Sequence, residues 1–369
     1  MSKKIGLLIE GGWAGANASN MTDQTSRQWQ IKRLNCPNLE PKERLGPKQW
    51  GNKPMSKKIG LLIGGEWSWP PAFIGEVNRH HEDITAELVQ LGGTRMAERV
   101  EYALIIDRIG LEVAYYRTFL KVALLSGTTV VNNPFWTIAD DRFFGASLMT
   151  YLNILHPLTV ALPSHSHSNG LGDDAMRNLV CPIPWEEHLS YLGGFPILLK
   201  PIWDGPTRRE YYIQSYEELW HTYNDTGTQC MMLQQYHKWD KYVRCICIGA
   251  EHIMPIKYDP RAHWLNRYVD EENYLTPSER EQVVSLALKI NQALGYEINA
   301  IECGFKDGVL YATDFINPVP KFEISFLTPR YFDWVVKATA DFAIKQVKNP
   351  QRQLQDARWG WLIDDQPKR

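Results

Sequence analysis

The sequence predicts an α/β protein, and two patterns carry that prediction. Between residues 57 and 132, short apolar runs bounded by glycine alternate with helical stretches, the arrangement of a mostly parallel sheet with helices between its strands. Further strand-length runs recur from Leu158 onward, and the last two are joined by Lys306-Asp307-Gly308. Asp-Gly suits the left-handed turn that twisted hairpin strands require.

In chain order, Lys58–Ile63 reads as a strand closed by Gly64-Gly65, followed by a helix around Pro71–Arg79. Strands are expected at Ile84–Val89 and Tyr102–Asp107, a helix at Val113–Ser126, and a fully apolar, buried-type strand at Thr128–Asn132. A helix over Asp141–Leu152 and a strand at Leu158–Leu162 come next. The Ser/His/Asn/Gly-rich segment Ser164–Asp174 reads as loop. Beyond it lie a helix at Trp185–Leu192 and a short apolar strand, Pro196–Pro201, that carries a lysine. Strands at Gln229–Tyr236, Tyr242–Ile248 and His252–Lys257 precede a helix at Pro277–Leu294. The hairpin Asn299–Phe305 with Val309–Phe315 and a helix at Phe332–Lys348 complete the pattern.

One feature stands apart from this pattern. Met1-Ser-Lys-Lys-Ile-Gly-Leu-Leu-Ile9 recurs unchanged as Met55–Ile63, each copy followed four residues later by a tryptophan. A single duplication does not make a solenoid. The polar, Gln/Asn/Lys/Arg-rich stretch between the copies has little periodicity, so residues 1–54 are expected to be a disordered extension and folding to start at Met55.

Composition narrows the function classes. The 40 Lys and Arg nearly balance the 42 Asp and Glu, leaving a net charge of −2. So balanced a surface offers no field that would select nucleic acid or an anionic membrane. The six cysteines form no CxxC pair and no zinc spacing, which fits reduced thiols and a cytoplasmic location. No run of 18 apolar residues is present, and Ile5–Ile9 is too short for a secretory segment.

Two groups of residues could carry chemistry. Lys200 closes the apolar strand Phe195-Pro-Ile-Leu-Leu-Lys-Pro201, where it either snorkels to solvent or places a point charge on phosphate oxygens. The hairpin brings Glu302, Asp314 and Asn317 onto neighbouring strands, as caps of strand ends and turns or as the hard oxygen donors that suit Mg²⁺ on nucleotide phosphates. Elsewhere, His165 and His167 sit in the polar loop without an acidic partner nearby in sequence. Cys245 and Cys247 read as small buried strand residues. The 14 Trp and 17 Tyr lack the basic interleaving of a nucleic-acid surface and read as core and cleft packing.

The order of these elements is itself recognisable. Asn132-Asn-Pro-Phe-Trp136, Ala139-Asp-Asp-Arg-Phe-Phe144, Met176-Arg-Asn-Leu179, Phe195–Pro201, Cys230-Met-Met-Leu-Gln234, Tyr242-Val-Arg244, Tyr258-Asp-Pro-Arg261 and Asp314-Phe-Ile-Asn-Pro318 follow one another along the chain. In these motifs the stretch from about Asn132 to Val347 resembles the ATP-grasp superfamily. It is most similar to a bacterial carboxylate-amine ligase-like group of unassigned substrate. The similarity reaches back to about Met55. It implies an ATP-grasp fold of α+β lobes over 136–348, preceded by a small parallel-sheet α/β domain over 55–135 and followed by a tail over 349–369.

The resemblance also implies site roles. ATP would lie between the lobes with Mg²⁺ held by Glu302, Asp314 and Asn317. Lys200 matches the lysine on the nucleotide phosphates, and Arg142 stands where the family more often has a lysine. Gln234, Gln235 and Tyr236 match the adenine-facing hinge. Arg244 is a candidate phosphate or acyl-phosphate ligand, with Arg267 a second. Tyr258, Arg261 and His263 join Arg267 as candidate carboxylate contacts. The acid expected just before Tyr242 is Lys241 here, so Asp240 takes the ribose role. The implied activity is ATP-dependent ligation of a small-molecule or peptide carboxylate to an amine through an acyl phosphate, with homo-oligomerisation open. Three departures support an alternative, a nucleotide-binding regulatory or inactive protein. The segment after Lys200 has one glycine and a proline, the hinge acid is Gln235, and Asp314 and Asn317 are three apart rather than two.

Overall fold

The computed structural model describes residues 57–350 apart from 81–82, 97, 136–140, 168–175, 204–209 and 250. The extension over 1–54, nearly all of the tail, and Arg208 and Arg209 of the segment after Lys200 lie outside the described residues.

The first layer is a four-stranded, all-parallel sheet in the order β2-β1-β3-β4, built from β1 (Lys58–Leu62), β2 (Thr85–Leu88), β3 (Leu104–Asp107) and β4 (Thr129–Val131). Strands β1, β3 and β4 are buried on both faces, which is why they read as continuous rather than alternating apolar runs, whereas the edge strand β2 buries only Ala86. Leu62, Ile105 and Val130 pack against Phe119 and Leu120 of helix α2 (Ala114–Leu125). Ile59, Leu61, Leu104 and Ile106 face Trp69 and Phe73 of helix α1 (Trp69–His80). The same core runs on into the C-terminal helix and the large antiparallel sheet described below. Asn132, held at φ +61, ties β4 to that sheet. Its Oδ1 accepts from the Glu297 and Ile298 amides, both at 3.0 Å, and its Nδ2 donates to the carbonyls of Ile298 and Pro318.

Helix α3 (Arg142–Tyr151) leads into a four-stranded antiparallel sheet in the order β5-β8-β6-β7. Its strands are β5 (Thr159–Ala161), β6 (Ile197–Pro201), β7 (Tyr211–Ile213) and β8 (Met231–Gln235). Helices α4 (Trp185–Leu192) and α5 (Tyr216–Asn224) cover one face through Leu189, Leu192, Leu219 and Tyr223, against Ile197, Leu199 and Leu233. Strand β7 and helix α5 are absent from the sequence reading. The strand has three residues, and the helix buries only Leu219 and Tyr223, too few to mark a period.

The third layer is a five-stranded antiparallel sheet in the order β11-β10-β9-β12-β13. It comprises β9 (Lys241–Ile248), β10 (His252–Tyr258), β11 (Tyr268–Val269), β12 (Ile298–Lys306) and β13 (Val309–Asp314). Helix α6 (Pro277–Leu294), opened by a Thr276/Glu279 capping box, covers Val243, Cys245, Cys247 and Cys303. Helix α7 (Pro329–Lys348) packs on the Ile246 and Ile248 side together with α1. The β12–β13 turn has Asp307 at φ +52 and Gly308 at φ +76, the left-handed pair that the Asp-Gly signal predicts. Among the described residues no helix is long and apolar enough to cross a membrane.

Helix α3 sits tightly against the segment after β13. A Cβ on Gly145 would lie 2.8 Å from Phe315 Cε2 and 2.9 Å from Ile316 Cδ1. Gly145→Val is therefore expected to lower stability by about 1–3 kcal/mol through overpacking. Urea unfolding followed by circular dichroism measures this, and an unchanged midpoint would contradict the close approach.

Candidate functional site

The alternation of strand β6 decides where Lys200 points. Ile197 and Leu199 enter the core under α4 and α5, so Leu198 and Lys200 take the opposite face. In the antiparallel register Lys200 stands opposite Met232 and Leu198 opposite Gln234 on β8, so all four share that face. Lys200 is buried, with Nζ 4.0 Å from the Glu210 carboxylate. Snorkelling to open solvent does not describe it.

The large sheet supplies the complementary row. Arg244 on β9 pairs with Glu302 on β12, which pairs in turn with Asp314 on β13. That last pairing exists because of an irregularity. Cys303 pairs with Ala312, yet Glu302 pairs with Asp314, so Thr313 is the extra residue of a β-bulge. Without the bulge, Asp314 would face away from Glu302. Arg244 Nη1 donates to Glu302 Oε1 at 2.5 Å and to the Tyr258 hydroxyl at 3.2 Å. Tyr242 donates its hydroxyl proton to Glu302 Oε2 at 2.8 Å and lies 2.8 Å from Thr313 Oγ1.

Asn317 joins this group by a route the sequence does not display. Asn299, fully buried, accepts from the Asn317 amide at 2.8 Å and donates to the Phe315 carbonyl at 2.8 Å. The Ala300 amide donates to the Asn317 carbonyl. The segment after β13 is thus strapped to β12. With its side-chain oxygen turned toward donors, Asn317 Oδ1 accepts from Arg244 Nη2 and its Nδ2 donates to the Val319 carbonyl at 3.3 Å.

Arg142 brings the two sheets into register. It opens α3 directly after Asp141, whose carboxylate caps the helix by accepting from the Phe144 amide. Its Nη1 is 3.5 Å from the Pro201 carbonyl, next to Lys200, and its Nη2 is 4.0 Å from Asp314 Oδ2. Lys200, Arg142, Asp314, Glu302, Arg244 and Asn317 therefore form one polar cluster. The other expected residues lie around it in different ways. Gln234 shares the Lys200 face, whereas Gln235 takes the opposite one and donates its amide to the Leu158 carbonyl. Tyr236 packs edge-on against Tyr212. Asp240 is exposed and its carboxylate accepts from the Asp307 amide, anchoring the β12–β13 turn. Arg267 donates to the Ala262 carbonyl, and among the described residues its hydrogen bond runs to that loop and not to the cluster. Arg261 and His263 are exposed; Tyr258 is buried under Arg244.

Three members of the site were given no role by the sequence, although Tyr242 stands in one of the motifs. Tyr242 and Asn299 look like ordinary strand residues until their cross-strand partners are known. His156 lies between α3 and β5, and its Nε2 is 3.4 Å from Gln234 Nε2. Cys245 and Cys247 of β9 are buried beneath α6, as expected, and Cys303 of β12 joins them there. Burial pushes the Cys247 thiol up to about 12, which makes it inert as a nucleophile.

Charge is unevenly shared in the cluster. Burial holds the Glu302 carboxyl above the usual range, opposed by Arg244 and reinforced by Asp314. At Asp314 burial acts in the same direction, but Arg142, Lys200 and Arg244 together outweigh it and hold the group below the usual range. Asp314 is therefore the anion that Arg142 and Lys200 address. Among the described residues no group of three His, Cys, Asp or Glu side chains converges. A divalent ion would rely on two carboxylates and an amide. That oxygen-only set fits Mg²⁺, because each carboxylate oxygen keeps a lone pair beyond the hydrogen bond it accepts.

No sequence-family model matches the chain, and no curated protein matches it in sequence. Solved structures do match it in fold. A RimK domain ATP-grasp protein from Sphaerobacter thermophilus has 16% identity and a TM-score of 0.55, over 78% of this chain and 99% of that one. The D-alanine–D-alanine ligase of Bacillus anthracis has 18% identity and a TM-score of 0.53, over 79% and 98%. The VanG D-Ala:D-Ser ligase of Enterococcus faecalis has 12% identity and a TM-score of 0.56, over 79% and 100%. Likeness at these identities establishes the fold.

The electrostatics of the cluster can be checked without a ligand. Burial, with the Lys200 charge next, pushes the His156 imidazole down to about 4 from an ordinary 6.5. Below pH 6.5 the unfolded chain takes up this proton while the folded one refuses it, so stability falls as pH drops through that window. The slope attributable to His156 reaches ~1.4 kcal/mol per pH unit. Urea unfolding between pH 7 and pH 4.5 should show the slope in the native chain and a smaller one in His156→Gln; equal slopes would refute the assignment.

Proposed function

Starting from an ATP-grasp fold, we propose that this chain is an ATP-dependent carboxylate-amine ligase. The observation that carries the reading is the convergence of Lys200 and Arg142 with Asp314 and Glu302 across two facing sheets, marked by the 4.0 Å approach of Arg142 to Asp314. Two cations opposite two carboxylates and an amide form a polyphosphate site, with direct charge for some oxygens and metal ligands for others.

In this reading a substrate carboxylate oxygen attacks the γ-phosphorus of ATP, the bond to the β–γ bridging oxygen breaks, and ADP leaves. The resulting acyl phosphate is attacked at its carbonyl carbon by an amine, which loses a proton to solvent as inorganic phosphate departs. Lys200 and Arg142 neutralise the transferring phosphoryl group, as fixed charges that need no rearrangement during the reaction. Arg244 is aimed at the same region from β9, held by Glu302 and the Tyr258 hydroxyl. Glu302, Asp314 and Asn317 would hold Mg²⁺, which supplies further charge neutralisation when bound. The B. anthracis ligase has also been solved with ATP, which supports a nucleotide in this fold. Gln234 and the backbone beyond it take the hinge role. Asp240, already engaged with the turn, and Arg267 take the ribose and acyl-phosphate roles by position alone. The carboxylate and the amine are small molecules or peptide ends.

One observation favours a second reading. Both oxygens of Glu302 already accept hydrogen bonds, from Arg244 and Tyr242, which suits a protein that binds nucleotide without forming a bond.

Lys200→Met is expected to slow ADP formation by roughly 10²- to 10³-fold, the scale for removing one preorganised electrostatic contact. A coupled ADP assay with a panel of amino acids, run beside calorimetric titration of Mg·ATP, tests this. Turnover at the native rate in the variant would sink the site assignment. Binding without amine-stimulated ADP would favour the second reading.

A further inference from the structure

The hydrogen bonds around Gln234 fix which end of its amide faces the cleft. The Pro157 carbonyl can only accept. It receives the His156 Nδ1 proton at 2.7 Å and the Thr159 hydroxyl proton at 2.9 Å. His156 Nε2 and Thr159 Oγ1 are left as acceptors, and Gln234 Nε2 faces both, at 3.4 and 3.2 Å. Both amide hydrogens of Gln234 are thereby engaged. Among the described residues its Oε1 accepts no hydrogen bond.

Gln234 and Lys200 lie on one face of paired strands as diagonal neighbours, about 7–8 Å apart along the backbone. A nucleotide whose phosphates contact Lys200 reaches Gln234 with its base when it lies along these strands. We infer that His156 and Thr159 are positioning residues for nucleotide-base selection: they hold Gln234 with its carbonyl oxygen outward, so that the site accepts a 6-amino purine and rejects a 6-oxo purine. The inference rests on the nucleotide reading above and deepens it. A 6-amino group donates to Oε1. A 6-oxo group sets acceptor against acceptor, and the amide cannot turn over without losing both of its own bonds. A free glutamine would tolerate either base by rotating.

The test is calorimetric titration of ATP and of inosine triphosphate, each with Mg²⁺, into the full chain, because the two nucleotides differ at the 6-position. The native protein should prefer ATP by about 10- to 100-fold, the scale for leaving a buried acceptor unmatched. In His156→Leu the amide is released from one partner, and the ATP-to-inosine ratio should fall several-fold toward parity. General damage to the fold would weaken both nucleotides and leave their ratio in place. Thr159→Val, which keeps the side-chain shape and removes the other acceptor, should move the ratio the same way and serves if the first variant does not fold. Equal affinities in the native protein, or an unchanged ratio in the folded variants, would overturn the inference while leaving nucleotide binding intact. Failure of the folded native protein to bind either nucleotide would overturn the nucleotide reading and this inference with it.

Discussion

Arg244 is a cation withdrawn from water, and an ion in that position costs several kcal/mol unless fixed dipoles and opposite charges replace the solvent. Glu302, the Tyr258 hydroxyl and the Asn317 amide oxygen do so from three separate chain segments. Satisfying one guanidinium thus fixes the relation of β9, β10, β12 and the segment beyond β13. Its Nε remains buried without a hydrogen-bond partner, while the Tyr258 and Tyr268 rings lie within 6 Å of the guanidinium carbon at 5.1 and 5.9 Å. Burial works against the charge, but the surrounding acidic groups and phenols outweigh it, so Arg244 stays protonated.

The same arrangement divides two neighbouring carboxylates by role. Glu302 is neutralised locally and bound on both oxygens, so it acts as a strut of the sheet as much as a ligand in waiting. Asp314 owes its charge first to Arg142 and Lys200, which come from a different helix and sheet, with Arg244 of its own sheet adding to them. The electrostatic asymmetry therefore follows the architecture, with one carboxylate satisfied within its sheet and the other satisfied mainly across the cleft. A polyanion entering there meets the same two cations that keep the half-buried Asp314 ionised.

Much of this was legible in the residues. The strand ending in Lys200, the Asp-Gly hairpin and helix α6 all announce themselves through local chemistry: an apolar run with one charge, a left-handed turn and a capped amphipathic period. Strand β7 and helix α5 did not, because so few of their side chains are buried that no period emerges. The spacing of Asp314 and Asn317 looked unfavourable on a regular strand. Strand β13 ends at Asp314, so the Asn299 strap rather than strand alternation places Asn317, while the bulge at Thr313 turns Asp314 toward Glu302; both arise from cross-strand contacts that spacing alone does not report.

The sequence by itself determined the α/β class, the order of the strands along the chain, and the residue types available for phosphate and metal, because those follow from patterns a few residues long. Tertiary structure alone decided which of them meet. Lys200 faces the cleft because α4 and α5 claim the other side of β6, and Asp314 shares a face with Glu302 because one residue bulges from β13. His156, Tyr242 and Asn299 depend for their roles on partners 18 to 78 positions away. A hydrogen bond depends on distance and direction in space, and those are set only when the sheets have packed.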